Sequence, residues 1–335
     1  MIAGPAHAAT ITVDTTDGGT TPGNGCSLSE AITAANGNGP SDQCSAGSSV
    51  TTDTIGFNIP GDGPHTITPN PSLPLVGGDV IIDGTTEPGY VGTPLIELNG
   101  SSAGNNATGL SLVGSGATVR ALTINRFDGS GIVLGGSNNL VDSSYIGTDT
   151  TGTADLGNRN GISVTGSANK IGNPDSSLPQ FVGLDQYRNV ISGNGLAQTG
   201  GSGIFVGTPG GGTTIVRSNI GTTVDASALL GNATHGVALF GSVNNFIGSP
   251  DPVLRNIIGG NGGMGVDISN SVGPPLTESS NNKVWGNYIG TNLQGSDLGN
   301  DGGGVSVSGS SNSVGGTQEN QPNVIAYNGN ATFFG

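Results

Sequence analysis

One short motif recurs through the second half of the chain, and its recurrence constrains the fold more than any other feature. A Gly followed by alternating apolar residues appears at 131–134 (GIVL), 161–164 (GISV), 203–206 (GIFV), 236–239 (GVAL), 265–268 (GVDI) and 304–307 (GVSV). The segments between these copies alternate between two types. One carries Ile-Gly-Thr and closes on Gly-Asn, at 146–158, 220–232 and 289–300. The other reads Asn-x-Ile-x-x-Asn-Gly, at 189–195, 256–262 and 323–329. The chain is therefore three copies of a two-turn unit, led in by a less regular turn over 109–127. A fixed period of this length is the signature of a solenoid, in which each unit buries its apolar face only against its neighbours.

Each turn holds about three short strands between tight bends, and similar turns predict coil-on-coil stacking into parallel sheets. Stacking gives each backbone N–H and C=O a partner in the next coil. The expected fold is all-β: a right-handed parallel β-helix with a short N-terminal capping helix. Asn recurs at the bends, at Asn138, Asn139, Asn169, Asn244, Asn245, Asn281, Asn282 and Asn312. Asn tolerates the left-handed backbone of such corners and can form ladders between coils, so these asparagines read as structural.

Composition agrees. Gly fills 64 of 335 positions, while aromatic residues are 4% and charged residues 9%, which would suit a flexible chain. Regularly spaced Ile and Val clusters exclude that reading. The 23 acids against eight Lys and Arg give a net charge of −15, which argues against nucleic acid and anionic membranes. Singly scattered acids otherwise indicate solubility. No apolar run approaches the ~20 residues of a membrane helix.

Three regions are expected: 1–9 as a residual signal segment, 10–108 as a cap with irregular leading coils, and 109–335 as regular coils. Ala6-His7-Ala8 fits the small-x-small pattern before a signal-peptidase cut, which would start the mature chain near Ala9 or Thr10. Residues 10–13 (TITV) read as an opening strand. In 26–36 (CSLSEAITAAN), Ser27 and Glu30 form a capping box, and Leu28, Ala31, Ile32 and Ala35 share one face. Asn36-Gly37 supplies the stop. Cys26 and Cys44 are the only cysteines. In an exported chain such a pair usually forms a disulfide, with two buried thiols as the alternative.

The stretch 11–14 (ITVD) followed by 26–32 (CSLSEAI) and Ala35-Asn36 resembles the CSLREA-type N-terminal motif of secreted bacterial β-helix proteins, with Ser29 where that motif usually has Arg. The repeats resemble those of the same proteins. The resemblance implies a β-helix and a secreted, extracellular or cell-surface location; such proteins have no established activity.

Chemistry is harder to find. A lyase needs Ca²⁺-holding carboxylates and an Arg or Lys base, and a hydrolase needs two carboxylates ~5–10 Å apart. Asp79 and Asp83 share a strand face by period. Asp142 aligns roughly with Arg217 and Trp285 of later copies. Arg188 and Arg255 repeat one position, Lys170 and Lys283 sit near Asn corners, and His235 precedes Gly236 as a corner residue. None outweighs a solvated face, so no catalytic residue is assigned. Asp149 and Asp155 on their Gly-containing loop are candidate Ca²⁺ ligands; otherwise no cofactor is expected. The 173–187 insert is the longest in the regular region, and inserts often build a solenoid's binding flank.

The sequence thus reads as an extracellular structural or adhesive solenoid, leaning away from an enzyme, with further copies of itself or surface glycans as partners and end-to-end assembly as one mode. The alternatives are a polysaccharide lyase or hydrolase with a groove beside 173–187, and a passive glycan-binding module.

Overall fold

The computed structural model describes residues 8–178, 187–195, 201–271 and 276–329, so most of the expected signal segment lies outside the described residues. It is a right-handed parallel β-helix of three sheets with ten, nine and seven strands, and every named strand pair is parallel. Sheet 1 runs from Thr10–Val13 to Ser313–Val314, sheet 2 from His65–Ile67 to Val324–Ile325, and sheet 3 from Leu110–Leu112 to Gly303–Val307. In the regular region the chain visits sheets 3, 1 and 2 in turn, as in Ser130–Leu134, Leu140–Asp142 and Tyr145–Ile146. Sheets 1 and 2 pass without a break through residue 109, since Val80–Asp83 pairs with Thr118–Arg120 and Ile96–Asn99 with Leu122–Asn125.

The core is a set of columns. Ile132, Ile162, Ile204, Val237 and Val266 lie in register and are fully buried. Ile171, Ile215, Ile247 and Val284 form the sheet 1 column. β-Branched residues suit such columns because they pack on a pleated surface and lose little rotamer freedom there. Each buried Ile or Val is worth about 1.5–3 kcal/mol of transfer free energy. In the last described coil Val305 continues the first column partly buried, while Val314 in the second, and Val307 and Ile325 opposite Ile268 and Ile289, are 43–47% exposed.

The corners are held by asparagine. At the turn from sheet 3 to sheet 1 the ladder includes Asn139, Asn169, Asn245, Asn282 and Asn312; at the next corner Asn189, Asn256, Asn287 and Asn323; at the third Asn158, Asn194, Asn232, Asn261, Asn300 and Asn328. The third ladder is typical. The backbone N–H and side-chain amide of Asn232 both donate to Asn261 Oδ1, at 3.2 and 2.8 Å, and Asn261 repeats both bonds to Asn300. The side-chain amide also donates to carbonyls of the preceding coil, as Asn261 does to Ile220 O. The Asn doublets divide the work: Asn138, Asn244 and Asn281 take the left-handed conformation (φ 56–60°), and Asn139, Asn245 and Asn282 carry the ladder. The Gly of Ile-Gly-Thr is required twice over. Gly221 has φ +85°, and a Cβ there would collide with Gly259 O and Asn261 Oδ1.

The N-terminal end is closed by helix α1 (Leu28–Gly37). Ser27 Oγ accepts from Glu30 N, while Glu30 Oε2 accepts from Ser27 N. This is the expected capping box. The helix runs one residue past the expected stop, and Asn38 (φ 51°) makes the left-handed cap. Leu28, Ala31 and Ile32 are buried, Ala35 partly so. Cys26 and Cys44 form the disulfide. No helix among the described residues is long and apolar enough to cross a membrane.

Candidate functional site

The outer face of sheet 1 carries an acid–base–acid column. Strand register places Asp83, Arg120 and Asp142 side by side on three successive coils. Arg120 Nε donates to Asp142 Oδ1 at 2.9 Å and its Nη2 to Oδ2 at 3.2 Å. Asp142 is 1% exposed and also accepts from Asn173 Nδ2 at 3.0 Å. Asp83 Oδ1 accepts from Thr85 N and Oγ1, at 2.9 and 2.6 Å.

A cleft of about 290 Å³ opens over this column, with Thr85 and Tyr90 on one wall, Arg120 and Asp142 on its floor, and Asn173 and Tyr187 on the other wall. Tyr90 and Tyr145 are set mainly by burial, which pushes each phenol up to about 12; the carboxylates of Asp142 and Asp83 push Tyr90 the same way, and a hydrogen bond with Thr93 partly opposes the shift at Tyr145. The Asp142 hydrogen bond raises the Arg120 guanidinium further above its usual range, against the opposing effect of burial. All three groups keep their protons at neutral pH. The cleft therefore offers a fixed cation and fixed acceptors on its floor and the neutral Tyr90 phenol on one wall, which hold hydroxyl-bearing ligands well, and Arg120 is no proton acceptor. A larger recess of about 480 Å³ beside the cap is lined by residues such as Asn36, Ser48, Thr52, Asp53 and Asp79, and holds neither a cation nor an aromatic ring.

The remaining expectations fall in several places. Asp79 lies on the same outward strand face as Asp83, as expected, but borders that recess and accepts from Thr52 Oγ1. Trp285 does lie in the column of Asp142, four coils on, while Arg217 is one residue past it. Trp285 belongs to a separate patch in which Lys283 Nζ lies 4.9 Å from the Phe246 ring and 4.7 Å from the indole. Arg188 and Arg255 link successive copies two coils apart, Arg188 Nη1 donating to Arg255 O at 2.9 Å. His235 Nδ1 accepts from Met264 N in the next coil, a corner role. Part of the 173–187 insert, 179–186, lies outside the described residues.

Asp149 and Asp155 each accept hydrogen bonds from their own loop. Asp149 Oδ1 accepts from Thr153 N and Ala154 N and its Oδ2 from Thr151 Oγ1, while Asp155 Oδ1 accepts from Gly157 N. In the third copy Asn292 Oδ1 does the same work for Gln294 N and Ser296 N, without a carboxylate. The position thus locks its loop. Among the described residues no three His, Cys, Asp or Glu side chains converge as a metal site.

No family profile and no curated protein matches the chain. Solved structures do share its path. The A-module of an Azotobacter vinelandii mannuronan C-5 epimerase is 14% identical over 93% of this chain and 96% of its own, with a TM-score of 0.36. A pectate lyase is 12% identical over 98% and 82%, with a TM-score of 0.41. A rhamnogalacturonan lyase is 12% identical over 98% and 88%, with a TM-score of 0.33. These likenesses concern the β-helical path and carry nothing about chemistry.

Arg120 and Tyr90 were not legible as parts of a site, whereas Asn173 and Tyr187 stand in the 173–187 insert expected to build a binding flank. Arg120 lies in the irregular leading turn, outside the repeats. Aligning 118–121 (TVRA) with 140–143 (LVDS) on their inward Val would have set Arg120 beside Asp142.

Proposed function

We propose that the protein is an extracellular, adhesive β-solenoid that binds a neutral glycan in the cleft over Arg120 and Asp142 and does not cleave it. The observation that carries this reading is the floor: a buried carboxylate and a guanidinium fixed to each other, beside Tyr90 and Tyr187. Paired charged donors and acceptors recognise vicinal hydroxyls, and aromatic rings supply stacking area for the apolar face of a sugar. Two acids against one base in the column disfavour a polyanionic glycan. The disulfide and the absence of a membrane-crossing helix among the described residues are compatible with an exported protein.

A hydrolytic reading has one feature in its favour. Asp83 and Asp142 lie two strand spacings apart, about 10 Å, near the separation of inverting glycosidases. Arg120 stands between them, and each carboxylate is committed to donors of its own. Neither is placed as a free acid.

The test is titration of cellohexaose, mannohexaose and xylohexaose into the protein by calorimetry, with product analysis of the same mixtures. Saturable binding that falls at least about tenfold in Tyr187→Ala, without release of shorter sugars, is expected. Chain shortening would replace binding by hydrolysis. Binding indifferent to Tyr187 and Arg120 would remove the cleft from the reading.

A further inference from the structure

We infer that Arg217 is the positioning residue of the cleft: its buried guanidinium ties Asp175 to Tyr187, described residues on the outgoing and returning sides of the insert, and so sets where Tyr187 stands over Arg120 and Asp142. The inference rests on the glycan reading of that cleft.

Arg217 is out of place by every local rule. It occupies the left-handed corner between sheets 1 and 2, with φ 50°. The equivalent corners hold Ala121 (φ 56°), Ser143 (φ 54°) and Gly286 (φ 66°), all small. A long side chain in that conformation is strained, and such strain persists only where its surroundings overdetermine it. Arg217 is also fully buried, the largest such side chain among the described residues. A buried guanidinium is costly unless specific partners meet it.

Its partners explain the exception. Arg217 Nη1 donates to Asp175 O at 3.3 Å, on the outgoing side of the insert. Its guanidinium carbon lies 5.2 Å from the centre of the Tyr187 ring, on the returning side. Asn173 and Leu178, on the same outgoing side, line the cleft with Tyr187. One side chain from the following coil therefore reaches both sides of the wall. Asn173, through its bond to Asp142, fixes the base of that wall to the floor. A planar cation suits this task, since it can hydrogen-bond at its edge and stack on its face at once.

The experiment compares wild type with Arg217→Gly and Arg217→Lys. Glycine suits the left-handed corner and matches Gly286, so a purely local role predicts unchanged behaviour in Arg217→Gly apart from relieved strain. The positioning role predicts a melting temperature held or raised, amide exchange at 175–178 about tenfold faster, and oligosaccharide affinity at least about tenfold lower, with Arg217→Lys recovering part of both. Unchanged exchange at 175–178 in Arg217→Gly overturns the inference whether or not a sugar binds. A fall in melting temperature with faster exchange throughout the coil also overturns it, because Arg217 is then a scaffold residue. Should wild type bind none of the hexaoses while exchange accelerates as expected, the glycan reading fails and the tie between Arg217 and the wall stands.

Discussion

Arg120 and Asp142, on neighbouring coils, meet in a two-pronged ion pair whose acid is buried and whose base is one-third exposed. Arg120→Ala leaves the buried Asp142 carboxylate without its ion pair, though still bonded to Asn173. A fully buried pair would cost about 3–5 kcal/mol when halved. Solvent at Arg120 screens the loss, so about 1–3 kcal/mol is expected. Joint replacement by Arg120→Met and Asp142→Leu should recover most of it in urea denaturation. A single variant as stable as wild type would show that the pair is ornamental to the fold.

The Asn ladders should be graded by position. Asn261→Ala removes the acceptor for the Asn232 backbone and side-chain amides, and the donor to Ile220 O and Gly259 O. At about 1 kcal/mol for each bond, with a penalty for groups left unpaired, the loss is about 3–5 kcal/mol. Asn328→Ala, in the last described coil, should cost clearly less. Equal losses in thermal melts would contradict the ladder account.

Acid should weaken the protein below about pH 4. The Asn24 hydrogen bond chiefly lowers Asp17, and the Thr223 hydrogen bond chiefly lowers Asp225, in both cases against burial; at Asp149 burial is the largest effect and raises, but bonds from Thr151, Ala154 and Thr153 together outweigh it. A carboxyl depressed in the folded state binds fewer protons there than in the unfolded chain. Its contribution is complete above the unfolded value of about 3.9 and is lost as pH falls through the folded one. Melting temperatures should hold from pH 8 to 5 as far as these groups are concerned and drop below 4, less so in Asp225→Asn.

The alkaline limb has the opposite sign. Tyr90 and Tyr145 are raised to about 12 by burial, so their contribution is present below about pH 10 and lost as pH climbs through the folded value. Phenolate absorbance should show two of the five tyrosines titrating late, together with loss of structure. All five titrating near 10 would mean the two phenols are wet.

Reducing Cys26–Cys44, which are 18 residues apart, should destabilise the cap by about 3 kcal/mol. Hydrogen exchange should quicken first at Thr10–Val13, whose strand packs under α1. Uniform quickening along all coils would mean that the cap does not open on its own.

The coils were legible because an inward Ile and a corner Asn must recur wherever coils stack, and recurrence can be read without coordinates. Ser27 and Glu30 were legible because a capping box is local. The cleft was legible only in part: the 173–187 insert marked one wall, but Tyr90, from a leading loop, and Arg120, from the irregular turn, come from unlike places. Only stacking brings them together. Arg217 was visible as a basic residue near the Asp142 column, but nothing in its neighbours along the chain announces that it is buried or that it reaches back a coil. In the sequence the asparagines of the two loop types belong to separate motifs, and the structure threads Asn158, Asn194, Asn232, Asn261, Asn300 and Asn328 onto one line.

That line has a direction. Every carboxamide oxygen on it faces the capped end, and every backbone amide faces away, so a coil is complete only once its successor supplies an oxygen. Coils behave like roof tiles laid from one edge, each covering the fixing of the one before. Lengthening or shortening such a molecule without exposing orphan amides must proceed by whole coils, so heritable change in its reach is quantised in steps of one ~4.8 Å storey.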